Sequence, residues 1–220
     1  MEHLRGSRHV IAYDQRGHGA SDRTPGAYSV AALAEDLEAL RRSLGVERMV
    51  LVGHSMSGTV LTTYAGAHPE RVAGLVYVDA IGSFDPVPRE AMQSLVDRET
   101  APGFGAAQVR AAFEEMLGPK AKPATREAVL ASVSKLDPPA FGALRREIFD
   151  FRDAKKRLGG YQGPMLAVEA ADNPHSAVLA SHTLDAKRLE VAGVSHWLQL
   201  DDPAALSSAL DAFLAAGSSK

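Results

Sequence analysis

The sequence contains a serine and a distant histidine whose hydroxyl and imidazole groups could act together in catalysis. Ser55 lies in the sequence GHSMSG at residues 53–58, between an apolar run and a stretch of small residues. His196 lies in the loop sequence GVSHW at residues 193–197. A serine hydroxyl becomes a nucleophile when a histidine accepts its proton and a carboxylate orients that histidine. We therefore predict acyl-transfer chemistry, with Ser55 as the nucleophile and His196 as the general base.

The segment around Ser55 is typical of a strand, a sharp turn and a helix. Residues 49–52 are apolar and residues 58–67 are mostly small. Such a turn lifts the serine above the sheet in a strained backbone, and the backbone N–H of Met56 then points at the oxyanion. The stricter motif has glycine at position 57, whereas this chain has Ser57 with Gly58 after it. The alternative interpretation of Ser55 is an ordinary helix N-cap.

Two aromatic neighbours of these residues are candidates for substrate contact. Trp197 follows His196 directly, and His54 precedes Ser55. Because successive side chains of a strand point to opposite faces, His54 is expected to point away from the nucleophile, where it would pack or orient the turn. Further along the chain, several large apolar side chains predict either an apolar substrate pocket or the core of a helical cap: Phe84, Met92, Phe104, Phe113, Phe141 and Phe149.

Three motifs taken together resemble the α/β-hydrolase superfamily, in its branch of serine hydrolases and esterases with a helical cap. They are DQRGHGASD at residues 14–22, GHSM at residues 53–56 and GVSHW at residues 193–197. The resemblance covers nearly the whole chain. It implies a mostly parallel sheet with the site at the carboxyl ends of the strands, beneath the cap. It leaves the substrate open, because one fold serves many reactions.

The acid of the triad is ambiguous by this resemblance. In much of the family an aspartate follows the strand after the cap, which here corresponds to Asn173, with Asp172 one residue earlier. Other capped branches place the acid at the end of the strand before the cap, which here is Asp79. An asparagine could orient the imidazole but could not stabilise its positive charge. We favour Asp79 and keep Asp172 as the alternative; a carboxylate that caps a loop is the other interpretation of Asp79.

Short apolar runs alternate with segments of helical period, which predicts an α/β fold. We expect a mostly parallel sheet flanked by helices, with an inserted helical cap. Residues 1–82 and 164–220 would form the core, and residues 83–163, which contain no strand-like run, the cap. The predicted strands cover residues 9–13, 49–52, 75–78, 165–168 and 188–191. The predicted core helices cover residues 30–44, 58–67 and 203–214.

The family resemblance begins abruptly at the N-terminus. In the family three strands precede the one that corresponds to residues 4–14, and one of them lies between the strands at residues 9–13 and 49–52. A His-Gly loop after one of them supplies the second oxyanion N–H, and the sequence has no counterpart of it. We hypothesise that the chain is truncated relative to a full hydrolase, or that it closes the sheet by direct strand pairing or through a second copy. Activity would then be weakened.

Composition narrows the class of protein. The formal charge is −3, so no basic surface for nucleic acid is expected. Cysteine is absent, which excludes disulfides and thiolate zinc sites. No apolar run approaches the about 18 residues of a membrane span, and the N-terminus lacks the apolar region of a signal peptide. We expect a soluble cytoplasmic protein that has no membrane or nucleic-acid partner.

The resulting functional prediction is hydrolysis of a small-molecule carboxylic ester, or a similar acyl bond, through an acyl-serine intermediate. No cofactor is implied, and no metal is expected because no cluster of histidine and carboxylate residues has ligand spacing. The alternatives are lactone, carbon–carbon or perhydrolytic cleavage at the same site. A weak or inactive hydrolase-like binding module, or a fragment, is the non-enzymatic alternative.

Overall fold

The computed structural model describes residues 2–24, 28–99, 101 and 103–217. Their four strands form one parallel sheet in the order β1-β2-β3-β4. The strands are β1 Met49–His54, β2 Val72–Val78, β3 Met165–Ala170 and β4 Lys187–Val191. Helices flank the sheet, so the predicted fold class is confirmed.

The helices are α1 Val30–Ser43, α2 Ser57–Ala67, α3 Arg89–Glu99, α4 Ala106–Leu117, α5 Pro123–Val133, α6 Pro138–Phe149, α7 Ala154–Arg157, α8 Ala180–Thr183, α9 Leu198–Asp201 and α10 Pro203–Gly217. Short 3₁₀ turns cover Glu2–Leu4, Pro69–Arg71 and Ser176–Val178. None of the helices in the described part of the chain is long and apolar enough to cross a membrane.

The sheet is covered on both faces, which explains the apolar strand sequences. Along β2, Leu75 and Tyr77 pack in one core with α1 and α2, whereas Val76 and Val78 pack in a second core with α10. All four side chains are almost fully buried. This arrangement holds the carboxyl ends of the strands at one edge, where the loops that follow them meet.

The prediction of a buried strand at residues 9–13 is wrong. This segment has no regular structure, and Ile11 and Tyr13 are 41% and 38% exposed. A strand needs a neighbour to accept and donate its backbone hydrogen bonds, and none of the strands in the described ranges lies beside this segment. Direct pairing of residues 9–13 with β1 is therefore also wrong. Among these strands β1 pairs only with β2, so its opposite edge has no strand partner in the described ranges. Val52 of β1 is accordingly 50% exposed.

Residues 83–163 lie between β2 and β3 and contain α3 to α7. We call this stretch the helical segment. Part of it forms a third apolar cluster, in which Val109, Val129 and Phe141 are joined by Trp197 from the loop after β4. The helical segment thus packs against the loop that carries His196. Its boundaries as a separate cap stay a prediction.

Candidate active site

Ser55 lies in the tight turn between β1 and α2. Its φ is +54°, a left-handed value that is strained for a residue with a side chain. The Ser55 N–H donates to the Val78 carbonyl at 3.2 Å, and the Ile81 N–H donates to the Ser55 carbonyl at 3.0 Å. A Cβ at Gly58 would lie 2.2 Å from the Ile81 carbonyl oxygen. Glycine at position 58 therefore permits the close approach that holds the turn against the end of β2.

His196 bridges Ser55 and Asp79. Its Nε2 lies 2.9 Å from Ser55 Oγ, and its Nδ1 lies 2.7 Å from Asp79 Oδ2. An ionised carboxylate can only accept hydrogen bonds, so Nδ1 carries the proton. Nε2 is then free to accept the proton of the Ser55 hydroxyl. The three side chains form the continuous arrangement required of a nucleophile, a base and an orienting acid.

Asp79 directly follows β2 and is fully buried. Its Oδ1 accepts a hydrogen bond from the Ala170 N–H at 2.9 Å. Besides His196, its Oδ2 accepts one from the Asn173 side-chain amide at 2.7 Å. Asn173 also accepts from the His175 N–H at 2.8 Å, which fixes its amide group. The position that carries the acid in much of the family thus supports the carboxylate of Asp79 in this chain.

Asp172 lies away from this cluster. Its side chain is 67% exposed and forms an ion pair with Lys120. The structure therefore brings Asp79, rather than Asp172, to His196. Asp172 and Asn173 are adjacent in the sequence, but the turn after β3 directs Asn173 inward and Asp172 toward the surface.

His54 contacts the histidine loop rather than pointing away from the site. Its Nε2–H donates to the His196 carbonyl at 2.8 Å, and the two rings lie 4.5 Å apart. Burial, and secondly the charge of His196, lowers the pKa of His54 to about 3. His54 is therefore a neutral donor that holds the backbone of His196. The expectation from strand alternation fails because His54 is the last residue of β1, where the pleat gives way to the turn.

We expect His54 to make the protein sensitive to acid. The unfolded chain binds a proton at His54 below about pH 6.5, whereas the folded chain does so only near pH 3, so stability falls as the pH drops through that window. The loss is at most about 1.4 kcal/mol per pH unit. Urea unfolding of the wild type and His54→Gln at pH 7, 6, 5 and 4 measures it. The free energy of unfolding of the wild type should exceed that of His54→Gln by less as the pH falls. A difference that stays constant from pH 7 to 4 would contradict the prediction.

A cavity of about 630 Å³ opens beside Ser55 and His196. Of the large apolar residues that the sequence suggested for a pocket, Phe113 and Phe141 line the cavity. The others do not line it: Phe84, Met92, Phe104 and Phe149. Trp197 also lines it and packs against Phe113, with the ring centroids 6.0 Å apart. The remaining apolar lining residues are Met56, Ile81, Met116, Ala128, Val129, Val133, Leu136, Leu144, Ile148 and Leu200. The walls thus favour an apolar ligand that reaches the serine hydroxyl.

Comparison with known proteins places the chain in a family. A sequence profile described as the alpha/beta hydrolase fold matches residues 1–126. The chain belongs to the α/β-hydrolase family. It is 28% identical to the sn-1-specific diacylglycerol lipase ABHD11 of Mus musculus, over 96% of this chain and 73% of that protein.

Solved structures share the α/β-hydrolase fold of the chain. A hydrolase from Pseudomonas aeruginosa superimposes with a TM-score of 0.81 at 24% identity, over 97% of this chain and 82% of that one. A thermophilic esterase from Thermogutta terrifontis superimposes with a TM-score of 0.77 at 24% identity, over 98% and 83%. Three mycobacterial proteins share 44% identity over 73 residues, which is 33% of this chain and 21% of their length.

Two residues of this α/β-hydrolase site carry no role in the sequence analysis. Gln15 lines the cavity, and its side-chain amide lies 3.5 Å from Ser57 Oγ. Asp201 is 2% exposed and binds the loop that carries His196. The signal for Gln15 is its place in the 14–22 motif. The signal for Asp201 is a carboxylate five residues after the histidine.

Proposed function

We propose that this α/β-hydrolase cleaves a carboxylic ester, or a chemically similar acyl bond, through an acyl-serine intermediate. The observation that carries the proposal is the continuous hydrogen-bonded chain from Ser55 through His196 to Asp79, placed at the mouth of a cavity. A buried carboxylate, an imidazole hydrogen-bonded to it and a serine in a strained backbone are the features expected of a nucleophilic serine. We assign Ser55 as nucleophile, His196 as general base and Asp79 as orienting acid.

The proposed reaction has two halves. Ser55 Oγ attacks the ester carbonyl while its proton moves to His196 Nε2, and the Met56 N–H stabilises the oxyanion at the start of α2. The tetrahedral intermediate collapses as the alcohol leaves with the proton from His196. Water, activated by the same imidazole, then attacks the acyl-enzyme and releases the acid. Throughout, Asp79 stabilises the imidazolium without accepting its proton.

The walls of the cavity define the kind of substrate. They combine aromatic side chains, including Trp197, with aliphatic ones from the helical segment, which we propose to act as a cap. Arg145 also lines the cavity, but Glu99 engages its guanidinium at 2.7 and 3.0 Å, which offsets its charge. We therefore propose an uncharged ester with an apolar acyl or alcohol portion. Both the diacylglycerol lipase and the thermophilic esterase to which the chain is similar are named for ester cleavage, which supports this chemistry.

A fluorophosphonate probe followed by a substrate panel tests the proposal. Only an activated serine reacts with the probe, so the wild type should become labelled at Ser55. The panel contains p-nitrophenyl esters of short and long acyl chains, lactones and amides. We expect medium-chain esters to give the highest kcat/KM. Faster lactone turnover would favour the alternative reaction, and a protein that neither labels nor hydrolyses would favour a binding module.

A further inference from the structure

Asp201 connects the histidine loop to the helical segment. Its Oδ2 accepts hydrogen bonds from the Ser195 N–H at 2.8 Å and the Ser195 hydroxyl at 2.5 Å. Its Oδ1 accepts hydrogen bonds from the Thr125 hydroxyl at 2.7 Å and the Lys122 N–H at 3.0 Å. One carboxylate, 2% exposed, is therefore shared between the residue before His196 and the first turn of α5.

These four donors fill the acceptor capacity of the buried carboxylate. Burial acts to raise the pKa of Asp201, but the hydrogen bonds outweigh burial and hold the pKa below its usual range. The Lys122 ammonium binds the backbone carbonyl of Asp201 rather than its carboxylate. Loss of one donor would leave a buried charged oxygen underbonded, which is more costly than the loss of a neutral hydrogen bond.

The same loop has an apolar connection to the helical segment. The backbone N–H of Trp197 donates to Ser195 Oγ at 3.2 Å. The indole ring of Trp197 packs in the cluster with Val129 of α5 and Phe113 of α4. His196 thus lies between Ser195, which bonds to Asp201, and Trp197, which packs against the helical segment. A displacement of α5 would move both neighbours of the base.

We propose that Asp201 is a positioning residue that couples the seating of helix α5 to the placement of His196. The base is held in register with Ser55 only while the first turn of α5 bonds to the carboxylate. This inference rests on the proposed function for its catalytic consequence. It also predicts a physical coupling between Thr125 and the histidine loop that is independent of turnover.

Thr125→Val tests the coupling from the far side of the carboxylate. Thr125 contacts Asp201 from α5, outside the histidine loop, and valine keeps its shape but removes the hydroxyl. We expect kcat for the best ester to fall about tenfold with KM within twofold, because a hydrogen bond to a charged group contributes on this scale. Thr125→Ser, which keeps the hydroxyl, should restore kcat to near the wild-type value.

Hydrogen exchange provides the readout that does not need activity. Exchange of the Ser195 and Trp197 amides should accelerate in Thr125→Val and stay at the wild-type rate in Thr125→Ser. Ser134→Ala is the matched control, since Ser134 lies at the end of α5 and its hydroxyl bonds to Ala131 of its own helix. Unchanged exchange at both amides in folded Thr125→Val would overturn the coupling, even if the wild type is active. Accelerated exchange with an unlabelled Ser55 would support the coupling and refute the proposed function.

A double-mutant cycle separates the coupling from general destabilisation. Asp201→Asn cannot accept from all four donors and should slow turnover by itself. If Thr125 acts through Asp201, adding Thr125→Val to Asp201→Asn should lower kcat much less than tenfold. Full additivity, with two independent losses, would show that Thr125 acts by another route and would overturn the proposal.

Discussion

Ser55→Ala is expected to abolish ester hydrolysis and fluorophosphonate labelling while the protein stays folded. The hydroxyl of Ser55 is the nucleophile of the proposed reaction, and it lies 2.9 Å from the nitrogen that accepts its proton. Loss of a triad nucleophile lowers the rate by a thousandfold or more, or roughly 4 kcal/mol of transition-state stabilisation. Initial rates with the best ester of the panel, and labelling followed by mass spectrometry, measure the effect.

The control for this variant is a serine that lies outside the site. Ser43 is at the exposed end of α1, where its hydroxyl bonds to the Leu40 carbonyl at 2.8 Å. Ser43→Ala should retain wild-type activity and labelling. Circular dichroism and thermal unfolding establish that both variants fold. Wild-type ester turnover by folded Ser55→Ala would remove the acyl-serine mechanism, although the family assignment would stand.

Asp79→Asn is expected to lower kcat about a thousandfold or more, whereas Asp172→Asn should change it less than twofold. Asp79 is the carboxylate that accepts the Nδ1–H of His196, so an amide there can neither select the tautomer nor stabilise the imidazolium. Asp172 forms an ion pair with Lys120, and its side chain faces solvent. Steady-state kinetics of the two variants with one ester compare them directly.

The opposite ranking would be decisive against the site geometry. A severe loss in Asp172→Asn with a mild one in Asp79→Asn would place the acid after β3, as in much of the family. Asn173 makes the comparison sharper, because its amide lies 2.7 Å from Asp79 Oδ2. Asn173→Ala removes this donor and leaves His196 unchanged. We therefore expect its kcat to lie between those of Asp79→Asn and Asp172→Asn.

Local pattern determined the fold class and the candidates for the site. The apolar runs at residues 49–52, 75–78 and 165–168 predicted strands correctly. The runs of β2 and β3, the two central strands, are apolar because helices cover both faces of the sheet there. The small residues after Ser55 predicted the turn into α2, because strand and helix approach closely there. The motifs around Ser55 and His196 supplied the family, which the profile match confirms.

Tertiary structure decided what depends on neighbours distant in the chain. Residues 9–13 have the composition of a strand, yet the described chain gives them no partner, and backbone hydrogen bonds require one. The choice between Asp79 and Asp172 turned on which side chain the loops after β2 and β3 direct inward. The sequence favours Asp79 because Asn173 occupies the position that carries the acid in much of the family. Which carboxylate contacts His196 depends on the turns, since a shift of one residue changes the direction of a side chain there.

The roles of His54 and Asp201 could be found only in three dimensions. His54 bonds to a carbonyl 142 residues away, and Asp201 bonds to Thr125 from 76 residues away. The sequence by itself determined which residues could supply the proposed acyl-transfer chemistry and the order of elements that carry them. The packing of β1 beside β2, and of the helical segment on the histidine loop, determined which of these groups meet, because hydrogen bonds depend on distance and angle rather than on sequence order.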